Sequence, residues 1–499
     1  MNLAVLLEMA CASFGERVAV RCEGQSLRFD ELFSAAGAGA RALRESGARH
    51  AALLDVTSPA VPVALFASAW AGLPFAPLSY RATDAEIDAL LARIAPAFLV
   101  TDAERAGRLA GRASLAILAR DAFLARVRST PAPEPDWDMD PEAIAVLLFT
   151  SGTTGAPKAA VLRHKHLVSY VLGSVEFGCA GPDDATLVSV PPYHVAGMAA
   201  ILSSVYAGRR IVQLPHFDAR AWIELARAEA VTHAFVVPTM LARIAEALEA
   251  EGGALPALRA LSYGGGKMPL PVIERAMRRL PQVDFTNAYG LTETSSTIAL
   301  LGPEEHRAAA ASADAGARRR LASVGRVLPG VEVEIRDPDG KPVAAGERGE
   351  IHVRGEQVAG EYLERGSQLG PGGWFATRDG GSLDAEGFLF VEGRIDDVIV
   401  RGGENLSPGE IEEVLLAHAA VADCAVVGVP DEQWGEAVAA VVVPRAGASV
   451  SAQELRDWVR ARLRSSRAPE RIEFRDRLPY NETGKLVRRR LRAELAGDA

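Results

Sequence analysis

Short apolar runs alternate with amphipathic stretches through most of the chain. Residues 51–56, 143–149, 186–190, 210–214, 234–237 and 260–262 read as buried strands. Between the later ones lie stretches of helical period, such as 219–230 and 271–279. Strands and helices in alternation predict α/β layers with largely parallel sheets. The texture changes near Val324. Residues 331–336 and 350–354 alternate like half-exposed strands, with a turn at 337–340. A further break near 393–403 precedes a compact unit: a helix over 408–418, strands over 424–429 and 437–444, and a helix over 451–463. The expected organisation is a large α/β domain over 1–394, its part from about 324 rich in β-structure, and a small α+β domain over 395–499. The Ala-rich stretch 307–320 reads as a surface helix or loop.

One segment tests this picture. Residues 57–80 carry no charge, which by length alone would suit a membrane span. Pro59, Pro62, Gly72, Pro74 and Pro77 divide it, so it reads as a turn, a helix over 61–71 and a buried strand over 73–76. No membrane span is expected. Nor is a signal peptide, because the N-terminus lacks a cationic region and Glu8 interrupts its apolar run. The net charge of −10 argues against a nucleic-acid partner. The four cysteines (Cys11, Cys22, Cys179 and Cys424) are scattered and form no C-x-x-C pair. They predict neither a disulfide framework nor a zinc cluster, and they suit a cytoplasmic protein.

Candidate chemistry begins after the strand at 143–149. There Thr150, Ser151, Gly152, Thr153, Thr154, Gly155 and Lys158 form one short loop of four hydroxyls, two glycines and a cation. Glycines let backbone N–H groups approach an anion, hydroxyls add donors, and the lysine adds charge, so the loop suits a phosphate. The spacing is not that of a Walker A loop. A generic Ser/Thr/Gly cluster is usually a surface turn; this ordered string is more specific. Residues 287–294 read Asn-Ala-Tyr-Gly-Leu-Thr-Glu-Thr. Tyr289 offers a ring on which a purine can stack, and Asn287 can pair with an amino-purine edge. Gly290 permits close backbone approach. Thr292 brings a hydroxyl, and Glu293 brings a hard oxygen ligand for Mg²⁺ beside phosphates. Alone, this segment reads about equally well as a binding site and as a strand end followed by a helix cap.

Taken in order, these strings resemble the signature motifs of the acyl-adenylate-forming superfamily: acyl- and aryl-CoA ligases, peptide-synthetase adenylation domains and firefly-type luciferases. The resemblance covers nearly the whole chain and is nearest to the CoA ligases. It implies that the 150–158 loop holds ATP phosphates, that Tyr289 stacks on adenine, and that Thr292 and Glu293 serve phosphate and Mg²⁺. The glycine turn Gly264, Gly265 and Gly266, together with Ala288, then borders both adenine and acid. His194, Val195 and Ala196, in a segment reading Pro-Pro-Tyr-His-Val-Ala-Gly-Met, border the acid carboxylate, with Gly173 in the same pocket. Asp379 and Arg394 match residues that contact ribose or phosphate. Where the usual string is Thr-Gly-Asp, this chain has Thr377-Arg378-Asp379. Ala159 stands where many members carry glycine.

By the same resemblance Asp396 is an interdomain pivot, Gly403 lies on a loop beside the thiol channel, and Lys485 is the catalytic lysine of the mobile C-terminal domain. Trp434 and Arg81 match positions where some aryl-CoA ligases hold the CoA adenine and a CoA phosphate. Their bland readings are a partly buried aromatic and a solvated charge. The arginines between Arg456 and Arg492 would suit CoA phosphates or an acidic carrier.

The expected activity is adenylation of a carboxylic acid by ATP, followed by acyl transfer to CoA. Loading of an acyl carrier protein is the alternative. Luciferase-like oxygenation and a catalytically silent acyl-nucleotide binder are the remaining readings, and a homodimer is among the assemblies allowed. Small residues in the acid pocket, with no lysine or arginine among them, point to an apolar monocarboxylic acid larger than acetate. It would be a medium-to-long fatty acid or a bulky aryl or arylalkyl acid, with a slight lean to the chain.

Overall fold

The computed structural model describes residues 1–150, 157–481 and 486–497. Two large sheets carry the first two-thirds of the chain. In a nine-stranded sheet, Asp284–Leu291, Ala260–Gly264, His233–Val236, Ala185–Val188, Arg210–Gln213 and Val18–Cys22 lie side by side in parallel. From Ala185–Val188 the chain passes through helix Val195–Ala207 to Arg210–Gln213 on one side. It then returns past its starting strand through Ala219–Ala228 to His233–Val236, and continues outward through Pro238–Glu251 and Leu270–Arg279. Right-handed crossovers running in opposite directions set Val195–Ala207 on one face and the other three helices on the opposite face. The strand order reverses between Ala185–Val188 and His233–Val236, and a crevice at the carboxyl ends of such strands is where open α/β sheets bind ligands.

The second sheet has eight strands, with Ile144–Thr150 and Lys158–Arg163 paired antiparallel, Thr150 opposite Lys158. Between the two sheets lies one large core. Its centre includes helix Ala60–Ala71, apolar on every side, with Leu65, Phe66 and Trp70 at most 1 % exposed. A helix that is apolar all round belongs inside a core, which is why this segment lacks charge. Among the described residues no helix is long and apolar enough to cross a membrane. The strand that follows is Phe75–Pro77, shifted from the expected 73–76 because Phe75 pairs with both Ala51 and Val146. The Ala-rich stretch forms helices Pro303–Ala311 and Ala315–Arg319.

Val331–Arg336, Gly349–Gly355, Phe375–Leu383 and Leu389–Arg394 make a four-stranded antiparallel sheet. Beyond it, Val421–Asp431 and Gly435–Pro444 pair within a separate five-stranded sheet, covered by helices Pro408–Leu416, Ala452–Arg460 and Arg488–Ala496. This C-terminal unit has its own apolar clusters. The architecture is the expected one: layered α/β, then a β-rich part, then a small α+β unit.

Candidate nucleotide and acyl site

The carboxyl ends of the parallel strands carry the residues singled out in the sequence. Gly264 ends its strand directly opposite Ala288. A Cβ on Gly264 would come within 2.2 Å of the Ala288 carbonyl oxygen, and one on Gly290 within 1.8 Å of the Ser296 carbonyl oxygen. Both glycines are therefore required by close backbone packing at the strand ends, whatever else they serve. Gly265 and Gly266 follow as an exposed turn. Asn287 is buried, and its side-chain amide donates to the Ser323 carbonyl at 3.0 Å.

Two side chains from two other strands converge on the Asp379 carboxylate. The Tyr289 hydroxyl donates to Asp379 Oδ2 at 2.7 Å, and Arg394 Nη1 donates to Asp379 Oδ1 at 2.9 Å. Arg394 also reaches the Thr377 carbonyl at 3.1 Å, while the Thr377 hydroxyl holds the Asp379 amide and the Ile351 carbonyl. Burial, and then the Asp379 carboxylate, push the Tyr289 phenol well above its usual range, so it remains a donor. Burial alone would lower the Arg394 guanidinium, but Asp379 outweighs it and the shift is upward. Each Asp379 oxygen keeps a lone pair for a further donor, such as a ribose hydroxyl.

A second group sits on the neighbouring sheet edge. Glu293, on the short turn Thr292–Thr294, accepts from the Tyr362 hydroxyl at 2.6 Å through Oε1. Its carbonyl takes the amides of Ala359 and Gly360. Lys158 Nζ lies 5.2 Å over the Tyr362 ring. Tyr362 thus links the cation at the end of the phosphate loop to the candidate Mg²⁺ ligand. The sequence reading missed it, since a tyrosine in a two-residue strand carries no local signal. Among the described residues no three His, Cys, Asp or Glu cluster as a cage for an ion. One fixed carboxylate beside a lysine fits Mg²⁺ held mainly by substrate phosphates and water.

His194 caps helix Val195–Ala207 and, with Val195 and Ala196, is half-buried at the switch point. Its ring lies 4.6 Å from that of Tyr193. Gly173 does not join this group. It sits near the end of helix His164–Ser174, exposed, with nothing within 4 Å of where a Cβ would be, so it walls no enclosed pocket. Its neighbours in sequence mislead because the helix buries Tyr170 and Val171 and turns Leu172 and Gly173 outward.

Arg81 is exposed over the Tyr80 ring. In the C-terminal unit Trp434 is 40 % exposed. Arg401 lies 4.6 Å over its ring, and a Cβ on Gly402 would meet the ring at 2.9 Å. Gly403, next along, faces open space. Asp396 accepts from Arg378 at 2.6 Å, and Arg378 has a φ of 63°, a conformation glycine adopts freely. Lys267 reaches from the glycine turn to the Gly409 carbonyl and to Glu413 of helix Pro408–Leu416. Ser151, Gly152, Thr153, Thr154, Gly155 and Lys485 lie outside the described residues. Lys485 immediately precedes Leu486, which bridges to Tyr480.

Comparison with known proteins agrees with this geometry. A profile described as AMP-binding enzyme matches residues 7–363, and one described as AMP-binding enzyme C-terminal domain matches 410–485. Feruloyl-CoA synthase of Amycolatopsis sp is 33 % identical over 481 residues, 95 % of each chain. The fatty acid–[acyl-carrier-protein] ligase ScoC of Streptomyces coeruleorubidus is 31 % identical over 496 residues, 96 % of this chain and 94 % of that one. The o-succinylbenzoate CoA synthetase of Bacillus subtilis, solved with its acyl-adenylate intermediate, superposes with a TM-score of 0.83 at 30 % identity over 97 % of each chain.

Proposed function

The chain belongs to the AMP-binding enzyme family, and on that premise we propose that it is an AMP-forming acid–thiol ligase using ATP, Mg²⁺ and CoA. The observation that carries the reading is the Asp379 carboxylate held by Arg394 and by Tyr289, near the carboxyl end of strand Asp284–Leu291. Asp379 and Arg394 fix the ribose and α-phosphate side of the nucleotide. Lys158 and the 150–158 loop receive the β- and γ-phosphates. Glu293 would hold Mg²⁺, which would supply positive charge where negative charge gathers.

A carboxylate oxygen of the acid attacks the α-phosphorus, the bond to the β-phosphate oxygen breaks, and pyrophosphate leaves. Lys485, on the C-terminal unit, adds a cation to that transition state. The CoA thiol, losing its proton, then attacks the acyl carbonyl and AMP departs. The second step needs a different face of the C-terminal unit, with Asp396 as pivot, Gly403 beside the incoming thiol arm, and Trp434 and Arg81 as holds for CoA. The acid is an apolar monocarboxylate, of chain or ring, bordered by His194–Ala196, Gly264–Gly266 and Ala288. The likeness to ScoC supports a second reading, in which an acyl carrier protein supplies the thiol.

The test is pyrophosphate release against a panel of acids, with and without CoA. Acid-dependent release with acyl-CoA formed is expected. Release that no acid stimulates would overturn the ligase reading, and release with no CoA thioester would favour the carrier protein.

A further inference from the structure

Gln213 ends its strand with its amide 1 % exposed, and among the described residues neither Nε2 nor Oε1 has a hydrogen-bond partner. A buried primary amide left wholly unpaired is costly, and a wild-type protein that keeps one needs a reason. Its place in the sheet supplies one. Parallel register puts Gln213 beside Val188, Val188 beside Phe235, Phe235 beside Ser262, and Gly264 opposite Ala288. Partners in register, and residues two apart along a strand, share a face. All six therefore lie on one face of the sheet. The opposite face is marked by Tyr263, which meets His306 of helix Pro303–Ala311. Arg318 of the adjoining helix Ala315–Arg319 pairs with Glu274 of helix Leu270–Arg279, so the Tyr263 face is the one that helix Leu270–Arg279 covers. The Gln213 face is left to helix Val195–Ala207, whose first residues border the acid site.

The face thus runs from the acid's carboxylate end at Gly264 and Ala288, across Phe235 and Val188, to Gln213 beneath the first turns of that helix. Three strand spacings of about 4.8 Å separate the strand of Gln213 from that of Gly264. Thr186 adds weight: it lies on the same face one strand over, and its hydroxyl is likewise buried without a partner among the described residues.

We infer that Gln213 is a specificity-determining residue for the acid, reading a neutral hydroxyl on the end of the acyl group remote from its carboxylate. The inference rests on the ligase reading above. A hydroxyl both donates and accepts, so it can meet the amide oxygen and the amide N–H₂ together. The substrate class is then a monocarboxylic acid with an apolar body, long enough to cross Phe235 and Val188, and a hydroxyl at its far end.

Two matched pairs test this with the full-length enzyme: 8-hydroxyoctanoate against octanoate, and 4-hydroxycinnamate against cinnamate, read as kcat/KM for acid-dependent pyrophosphate release. The wild-type enzyme is expected to favour the hydroxylated member of at least one pair by tenfold or more, because a site built to bond a hydroxyl rejects its absence. Gln213→Leu should erase that preference, leave the KM for ATP unchanged, and raise Tm by removing the unpaired amide. Equal or reversed preference in the wild-type enzyme would overturn the inference without need of any variant, as would a preference that survives in Gln213→Leu. Turnover of the deoxy acids alone would leave the ligase reading standing while removing this one. Silence toward every acid would remove both.

Discussion

Asp379 is 7 % exposed and is met by a tyrosine and an arginine from two other strands, whereas Asp396 meets Arg378 with side chains 39 % and 54 % exposed. The contrast extends to each side's surroundings. Around Asp379, Thr377 is 2 % and Asn287 7 % exposed, and each is hydrogen-bonded to backbone. Toward the C-terminal unit, Lys267 and Glu413 pair at 3.3 Å with 43 % and 56 % of their side chains exposed. A cleft lined by Glu392, Arg394, Asp397, Ser407, Gly409 and Arg488 separates the parts. Buried hydrogen bonds to a charge resist rearrangement, while exposed ion pairs contribute about 0–1 kcal/mol and exchange readily with water. We propose that the Asp379 network, whose carboxylate is sheltered although Arg394 is 42 % exposed, is a nucleotide cradle built to stay, and that the exposed pairs form a joint built to let go.

The largest expected effect lies across that joint. Lys485→Ala should cut acyl-AMP formation by on the order of 10²-fold or more, the usual result of removing a transition-state charge contact. Thioester formation from supplied acyl-AMP should be largely spared. Equal loss in both half-reactions would mean that one arrangement of the C-terminal unit serves both steps, and the contrast would lose its functional meaning.

Next comes the cradle. Asp379→Ala leaves a half-buried tyrosine hydroxyl and a guanidinium without their shared partner, so it should lower kcat/KM for ATP by roughly 10- to 100-fold and lower Tm as well. Asp379→Asn should restore much of the stability and less of the activity. If Asp379→Ala costs activity alone, the network around it is not a rigid element of the fold.

Arg378→Gly probes the joint at its thinnest point. It removes an exposed ion pair and relieves a positive φ, so Tm should stay level or rise by a degree or two. The ratio of adenylation to thiol-transfer rates should nonetheless shift two- to fivefold, the scale of an exposed pair converted to a population change. Rates measured for each half-reaction separately would show it. An unchanged ratio would leave Arg378 a passive surface residue.

The same contrast divides what could be read from the sequence. Strands 331–336 and 210–214 were legible because period and composition are local, and the observed bounds differ by at most a residue. The cradle's members Tyr289, Asp379 and Arg394 were legible one by one through their motifs, but not the hydrogen bonds joining them, which depend on strands brought together from far apart. Tyr362 and Lys267 were invisible for that reason. Gln213 read only as the end of an apolar strand, because an unpaired amide shows itself only after its neighbours are placed. Gly173 differs in the opposite sense: the family resemblance put it in the pocket wall, and helix phase turns it to solvent.

The smallest effect concerns how the Lys485 segment is anchored. Tyr480 donates to Asp423 Oδ2 at 2.8 Å, and Arg488 binds Glu412 and the Val426 carbonyl, so both flanks of the segment are tied to the C-terminal sheet and its helix. Burial raises the Asp423 carboxyl to about 6, and the hydrogen bond from Tyr480 only partly offsets this. A carboxyl whose folded pKa lies above its unfolded value near 4 favours the folded state when protonated. That contribution is complete below about pH 4 and is lost as pH rises through about 6, so above that point the ionised group is a standing cost. Asp423→Asn can keep its Oδ1 as acceptor for the Cys424 amide and donate Nδ2–H to the Tyr480 oxygen, and it cannot ionise. It should therefore be more stable than the wild type at pH 7–8, by about 1–2 kcal/mol once solvent access is allowed for, and the advantage should shrink steadily toward pH 4. Thermal unfolding of both proteins across that range measures the difference directly. An advantage independent of pH, or one that grows as pH falls, would show that Asp423 is ionised without penalty in the folded protein and that Tyr480, rather than burial, governs it.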